Sequence, residues 1–168
     1  MMRGGDGPPP DVVIGLGNPW MGDDAVGMHV VEAVEQRLPE TGGPECLALG
    51  QAGFGVLHYL EGRRKAVLVD CARMGEAPGV WRRFLPREAE EKEIRPGLSL
   101  HEGHLLGWLR LLAMSEHPPE EVVLIGIEPA ALDPAEHLSP QLESRIGAYA
   151  DAVTAEFPDT AWKAADHA

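Results

Sequence analysis

Two adjacent aspartates, Asp23 and Asp24, end the loop in GLGNPWMGDDAVG (15–27), and Asp70 closes the apolar run KAVLVD (65–70). His101 stands in LSLHEGHLLGWL, just ahead of a predicted helix. Taken singly, each has an ordinary use: an aspartate before a helix caps it, one after a strand makes a turn, and a loop histidine caps or pairs locally. One cap is sufficient for one helix, so one member of the aspartate pair needs other work. That carboxylate, Asp70 and His101 form an oxygen, oxygen, nitrogen set that suits a divalent ion such as zinc or nickel and leaves coordination positions open. Water at such an ion ionises more easily, which makes hydrolysis the natural reaction class. His104, one helical turn from His101, could add a further donor or orient one, although a place on the helix surface requires neither.

Other chemistries fit poorly. A dinucleotide loop needs G-x-G-x-x-G with a third glycine for close helix packing, and after Gly15 and Gly17 that position holds Trp20. No P-loop Lys-Ser or Lys-Thr pair is present, and two aspartates at a helix start oppose a phosphate there. There is no G-x-S-x-G elbow. Cys46 and Cys71 lie in no CxxC pair and read as buried thiols of a reduced, cytosolic protein.

These residues can meet only if the elements around them are ordered in a particular way. DVVIGLG (11–17) reads as a strand buried on both faces, followed by a helix of about four turns on Val26, Val30, Val34 and Leu38, capped by Asp23 or Asp24 and stopped by Pro39. Further strands are expected at 45–50, 65–71, 79–85 and 121–129, and further helices at 54–62, 104–114 and 139–157, the last with Ser139 as N-cap and Pro140 in the first turn. REAEEKEIR (87–95) reads as a solvated charge run. The alternation predicts a three-layer α/β fold, a mainly parallel sheet of about five strands with helices on both faces and one hairpin-like interruption near residue 80. Ligands of such sheets lie beyond the carboxyl ends of the strands, where Asp23, Asp24 and Asp70 are expected.

The chain has 168 residues, which suits one domain: a tail over 1–10, the α/β domain over 11–157 and a frayed tail over 158–168. A net charge of −13 makes nucleic acid and anionic membrane surfaces poor partners. MMRGGDGPPP is no secretory signal and no apolar run is long enough for a membrane span, so a soluble cytoplasmic protein is expected.

GLGNPWMGDDAVG, VDCARMGEAPG (69–79), SLHEG (99–103), GIEP (126–129) and LSP (138–140), in this order and spacing, resemble the hydrogenase maturation proteases over about residues 11 to 155. The resemblance implies a single α/β domain that removes a C-terminal peptide from the large subunit of a nickel-iron hydrogenase after nickel insertion. It further implies that Asp24, Asp70 and His101 engage nickel, with zinc or cadmium able to substitute, the ion being the one held by the precursor. It assigns His104 no ligand role. Ala25 stands where the family often has glycine, and Gly50-Gln51-Ala52 where Asp/Gly-Gly-Thr is usual. The helix N-terminus favours the anionic form of Asp24 and hence its use as a ligand, while a carboxylate not occupied by metal could act as general base. The alternative is a non-catalytic, nickel-dependent binding protein or chaperone for the same precursor. A nucleotide-binding domain on Gly15 and Gly17 and a broad metal-dependent exopeptidase are more distant rivals.

Overall fold

The computed structural model describes residues 10–92, 95–96 and 105–163. Strands are β1 (Asp11–Leu16), β2 (Glu45–Gly50), β3 (Lys65–Arg73), β4 (Trp81–Phe84), β5 (Arg95–Pro96) and β6 (Glu121–Ile127). Helices are α1 (Val26–Glu35), α2 (Val56–Leu60), α3 (Pro86–Glu91), α4 (Leu105–Leu112), α5 (Pro140–Glu143) and α6 (Ile146–Thr154), with 3-10 turns at Gly22–Ala25 and Gly53–Gly55.

The sheet runs β2-β1-β3-β6-β4, with the two-residue β5 added to the end of β3. Neighbours among β1, β2, β3 and β6 are parallel, as their unbroken apolar runs predict. β4 is antiparallel to β6 at the edge and does not form a hairpin with the preceding β3, so the expected interruption is a crossing of the sheet. Strand residues alternate between two cores. Val13, Val67, Val69 and Ile125 face α1 and α6, while Val12, Ile14, Leu68 and Leu124 face α2, α3 and α4. Helices therefore cover both faces. From β1 the chain passes through α1 to β2, then through α2 back across to β3 on the opposite side of β1. A crevice must open at that reversal, between the carboxyl ends of β1 and β3.

α1 reaches the crevice at unusually close range. A Cβ on Gly27 would lie 2.2 Å from the Val69 carbonyl oxygen and 2.5 Å from that of Leu16, so only glycine lets α1 bridge the ends of β3 and β1. The glycine required for tight helix packing is thus present, seven residues further along than a dinucleotide fingerprint would place it. Gly27→Ala should cost about 3 kcal/mol through overpacking, more than the helix propensity of about 1 kcal/mol that it adds. Urea unfolding checks this, and an alanine variant as stable as the parent would show that the close contact is dispensable.

Several local expectations change. The charge run at 87–95 is not simply solvated: Pro86 starts α3, the Glu88 carboxylate accepts the Leu85 N–H at 2.7 Å, and Ala89 is buried against the sheet. The single helix expected over 139–157 is two, because the Arg145 N–H bonds to the Leu142 carbonyl three residues back and tightens the turn between α5 and α6. α2 is shorter than the 54–62 expected, its first turn being 3-10. Beyond Phe157, the Trp162 Nε1 donates to the Phe157 carbonyl and the Lys163 N–H to that of Arg37, so the chain follows the α1 and α6 layer as far as residue 163. Cys46 and Cys71 are free thiols, and burial, followed by Glu35 and Glu45, pushes Cys46 up to about 12.

Glu156, just past α6, accepts from Lys65 Nζ at 2.9 Å and Arg83 Nε at 2.6 Å, joining β3, β4 and the helix layer. Burial acts to raise its carboxyl, but the hydrogen bonds and charges of Arg83 and Lys65 outweigh burial and hold it below the usual glutamate range. A depressed folded value stabilises the protein above the unfolded value and loses that contribution as pH falls through the folded one. Glu156→Gln should therefore flatten the acid limb of a stability-against-pH curve and lower stability near neutrality. An unchanged acid limb would remove this network from the acid response.

Candidate active site

Asp23 and Asp24 occupy one 3-10 turn and do entirely different things. Neither caps a helix, for no side-chain capping bond is made at either the 3-10 turn or α1. The side chain of Asp23 instead reaches across to the 130–139 loop. One oxygen accepts the Ala130 and Ala131 N–H groups at 2.8 and 3.0 Å and the Ser139 hydroxyl at 2.9 Å, and the other accepts the Ser139 N–H at 2.7 Å. Ser139 sits at the N-cap of α5, as expected, but its hydroxyl is drawn to Asp23 and caps nothing. With four donors on two oxygens, Asp23 is a clamp.

Asp24 is turned the other way. Its Oδ2 accepts the Asn18 N–H at 2.9 Å, which ties it to the loop leaving β1, and it is only 1% exposed. Asn18 in turn accepts the Trp20 N–H through Oδ1 at 3.0 Å and fixes that loop as a turn. Gly17, at φ 136°, passes so close beneath that a Cβ there would lie 1.8 Å from the Asp24 carbonyl oxygen. The glycine loop therefore seats the Asp24 backbone directly on the end of β1.

Asp70 is not strand-terminal, as its sequence position implies; β3 continues to Arg73. What ends at Asp70 is its neighbour. β1 pairs with β3 only as far as Gly15 opposite Val69, whereas β6 still pairs opposite Asp70 through Gly126. Asp70 is thus the first residue of β3 beyond the β1 ladder, at the mouth of the crevice. It is 7% exposed and its Oδ1 accepts the Cys71 N–H at 2.8 Å. Gly27 packs on Val69, the residue before Asp70, so the turn carrying Asp24 and the strand carrying Asp70 converge at this point.

His101 and His104 lie outside the described residues. Leu105, the first described residue after them, lines a cleft with Asp70. Leu16, Ala52, Val56 and Trp108 line the same cleft. Among the described residues no three of His, Cys, Asp and Glu come close enough together to hold a metal ion. Asp24 and Asp70 are thus two carboxylates that separate elements bring to one crevice.

Sequence reasoning gave Glu128 no role. It is buried, and its Oε2 accepts the Met74 and Glu76 N–H groups at 2.6 and 3.2 Å, holding the loop that follows β3. The only signal was a glutamate at the end of an apolar strand, in GIEP. Among the described residues no helix is long and apolar enough to cross a membrane.

Comparison with known proteins gives a consistent picture. A family model described as hydrogenase maturation protease matches residues 28–156. The chain is 30% identical over 137 residues to the hydrogenase 2 maturation protease of Escherichia coli K12, covering 80% of this chain and 82% of that protein. It is 28% identical over 139 residues to the hydrogenase expression/formation protein HupD of Thiocapsa roseopersicina, covering 82% of this chain and 63% of the relative. Among solved structures, the hydrogenase maturating endopeptidase HybD from E. coli superposes with a TM-score of 0.79 at 27% identity, over 91% of this chain and 94% of that one.

Proposed function

This chain belongs to the hydrogenase maturation protease family and is an endopeptidase of hydrogenase maturation, and from that premise we propose that it removes the C-terminal peptide of a nickel-iron hydrogenase large-subunit precursor in response to nickel held by that precursor. Asp24, Asp70 and His101 engage the nickel, which belongs to the substrate. Supporting this reading above all is the division within the aspartate pair: Asp23 is fully occupied by four donors, while Asp24 lies where its turn converges with Asp70 at the crevice between β1 and β3.

Two carboxylates at that crevice suit hydrolysis of a peptide bond laid across it. Water oxygen adds to the scissile carbonyl carbon, the carbon–nitrogen bond breaks, and a proton reaches the leaving amine, yielding a new C-terminal carboxylate and a free peptide. The nickel contributes recognition, its positive charge being opposed by two acidic side chains and an imidazole. A carboxylate oxygen of Asp24 or Asp70 that the ion leaves free is suited to take the proton from water. Since the donor set is incomplete without the precursor's own ligands, nickel-free precursor would leave the two carboxylates unopposed. The cytoplasm is the place of action that this reading takes.

Intact-mass measurement of nickel-loaded precursor incubated with this protein tests cleavage. Loss of one C-terminal peptide is the expected result. Tight association with unchanged mass would instead make the chain a binding protein for the precursor.

A further inference from the structure

The cleft beside Asp70 has a wall chemistry that the carboxylates alone do not explain. Leu16 comes from the end of β1, Ala52 and Val56 from the turn and helix after β2, and Leu105 and Trp108 from α4. Asp70 is the one charged side chain among its described lining residues. At the rim, Phe54 is 61% exposed and meets Trp108 edge to face, with ring centroids 5.9 Å apart and planes at 88°. The packing between α2 and α4 is already supplied by Val56, Leu60, Leu105 and Leu109, which are buried in the core beneath. An aromatic pair standing above that core, with Phe54 largely in water, is placed to cover something that arrives.

We propose that this cleft is a subsite for one apolar side chain of the precursor, within a residue or two of the cleaved bond, and that Phe54 and Trp108 form its outer wall. The inference rests on the proposed function, since it takes Asp70 to lie at the cutting site. Because Asp70 belongs both to the crevice and to the cleft, a side chain seated against Leu16 and Val56 brings its own backbone alongside that carboxylate. An acidic occupant would face Asp70 and a chain of net charge −13, with no described cation in the lining. A basic occupant would draw Asp70 into an ion pair and away from the nickel. A neutral apolar side chain conflicts with neither, and its transfer from water into the cleft favours binding.

The test uses nickel-loaded precursors in which each residue flanking the cleaved bond is replaced in turn by Asp, Lys, Ala or Leu, with kcat/KM read by intact mass. At one position Asp and Lys should lower kcat/KM about tenfold or more, while Leu keeps it within about twofold. Ala52→Trp, at a position with ordinary helical backbone angles, should fill the cleft. That variant should raise KM for the native precursor and cut the precursor carrying Ala at the responsive position better than the native one. Met114→Ser, at a position 84% exposed and outside the cleft lining, with both variants matched to the parent in melting midpoint, serves as the control that keeps activity. Equal kcat/KM for Asp, Lys and Leu at every flanking position would overturn the subsite, as would a preference for Lys or an Ala52→Trp enzyme indifferent to side-chain size. If the parent protein leaves native nickel-loaded precursor uncut, the proposed function itself fails, and that arm is read before any variant.

Discussion

Asp24→Asn is expected to lower processing of nickel-loaded precursor by about 10³-fold while shifting the melting midpoint by no more than a few degrees. Asparagine has nearly the shape of aspartate, and its Oδ1 can still accept the Asn18 N–H that Asp24 accepts at 2.9 Å. The turn after β1 is therefore preserved. What disappears is the negative charge at the crevice, and with it the attraction for a cation and any basicity toward water. Both readouts are needed. Processing that survives the substitution would remove Asp24 from the site, and a collapse in stability would mean that its role is to hold the loop.

Asp23→Asn should give the opposite pair of results: a loss of about 3 kcal/mol in stability, with processing by the folded fraction largely retained. Each Asp23 oxygen accepts at least one backbone N–H, from Ala130 and Ala131 on one side and from Ser139 on the other. Whichever way the amide is turned, its NH₂ group confronts a donor in a site that is 1% exposed, so at least one buried N–H loses its partner. At this chain length the penalty corresponds to roughly 6 to 12 °C in melting midpoint. The loop from Ala130 to Ser139 should loosen first, because the remaining ties between it and the 3-10 turn are backbone bonds such as Gly22 N–H to Ala135 oxygen. Amide exchange at Ala130, Ala131 and Ser139 would reveal this directly. An Asp23→Asn protein that melts with the parent would refute the clamp.

The difference between these two neighbours could not be read from their order in the chain. Both precede the same helix, both can cap it on paper, and only the resemblance to a family separated them. The separation is a matter of rotation: adjacent residues in a tight turn point in different directions, one toward a loop more than a hundred residues away and the other toward the end of β1. By contrast, β1, β3 and β6 were plain in the sequence, since strands covered on both faces must be apolar along their whole length. β3 ran past Asp70 because β6 continues beside it when β1 has stopped, and no local pattern encodes a neighbour's length. α3 was hidden because a short helix on the edge of a core buries a single residue, Ala89, among many charges. The cleft is assembled from four segments distant in sequence, so its shared apolar character emerges only once they are packed. His101, the third member of the expected donor set, lies outside the described residues, and its engagement of nickel is part of the proposal.

The most direct measurement places nickel-loaded and nickel-free precursor side by side with this protein and follows the intact mass of the large subunit. Loss of the C-terminal peptide from the loaded precursor alone is the expected result, because the proposed site is completed by the precursor's nickel. Equal cleavage of both precursors would contradict a nickel-sensing endopeptidase, and so would cleavage of neither.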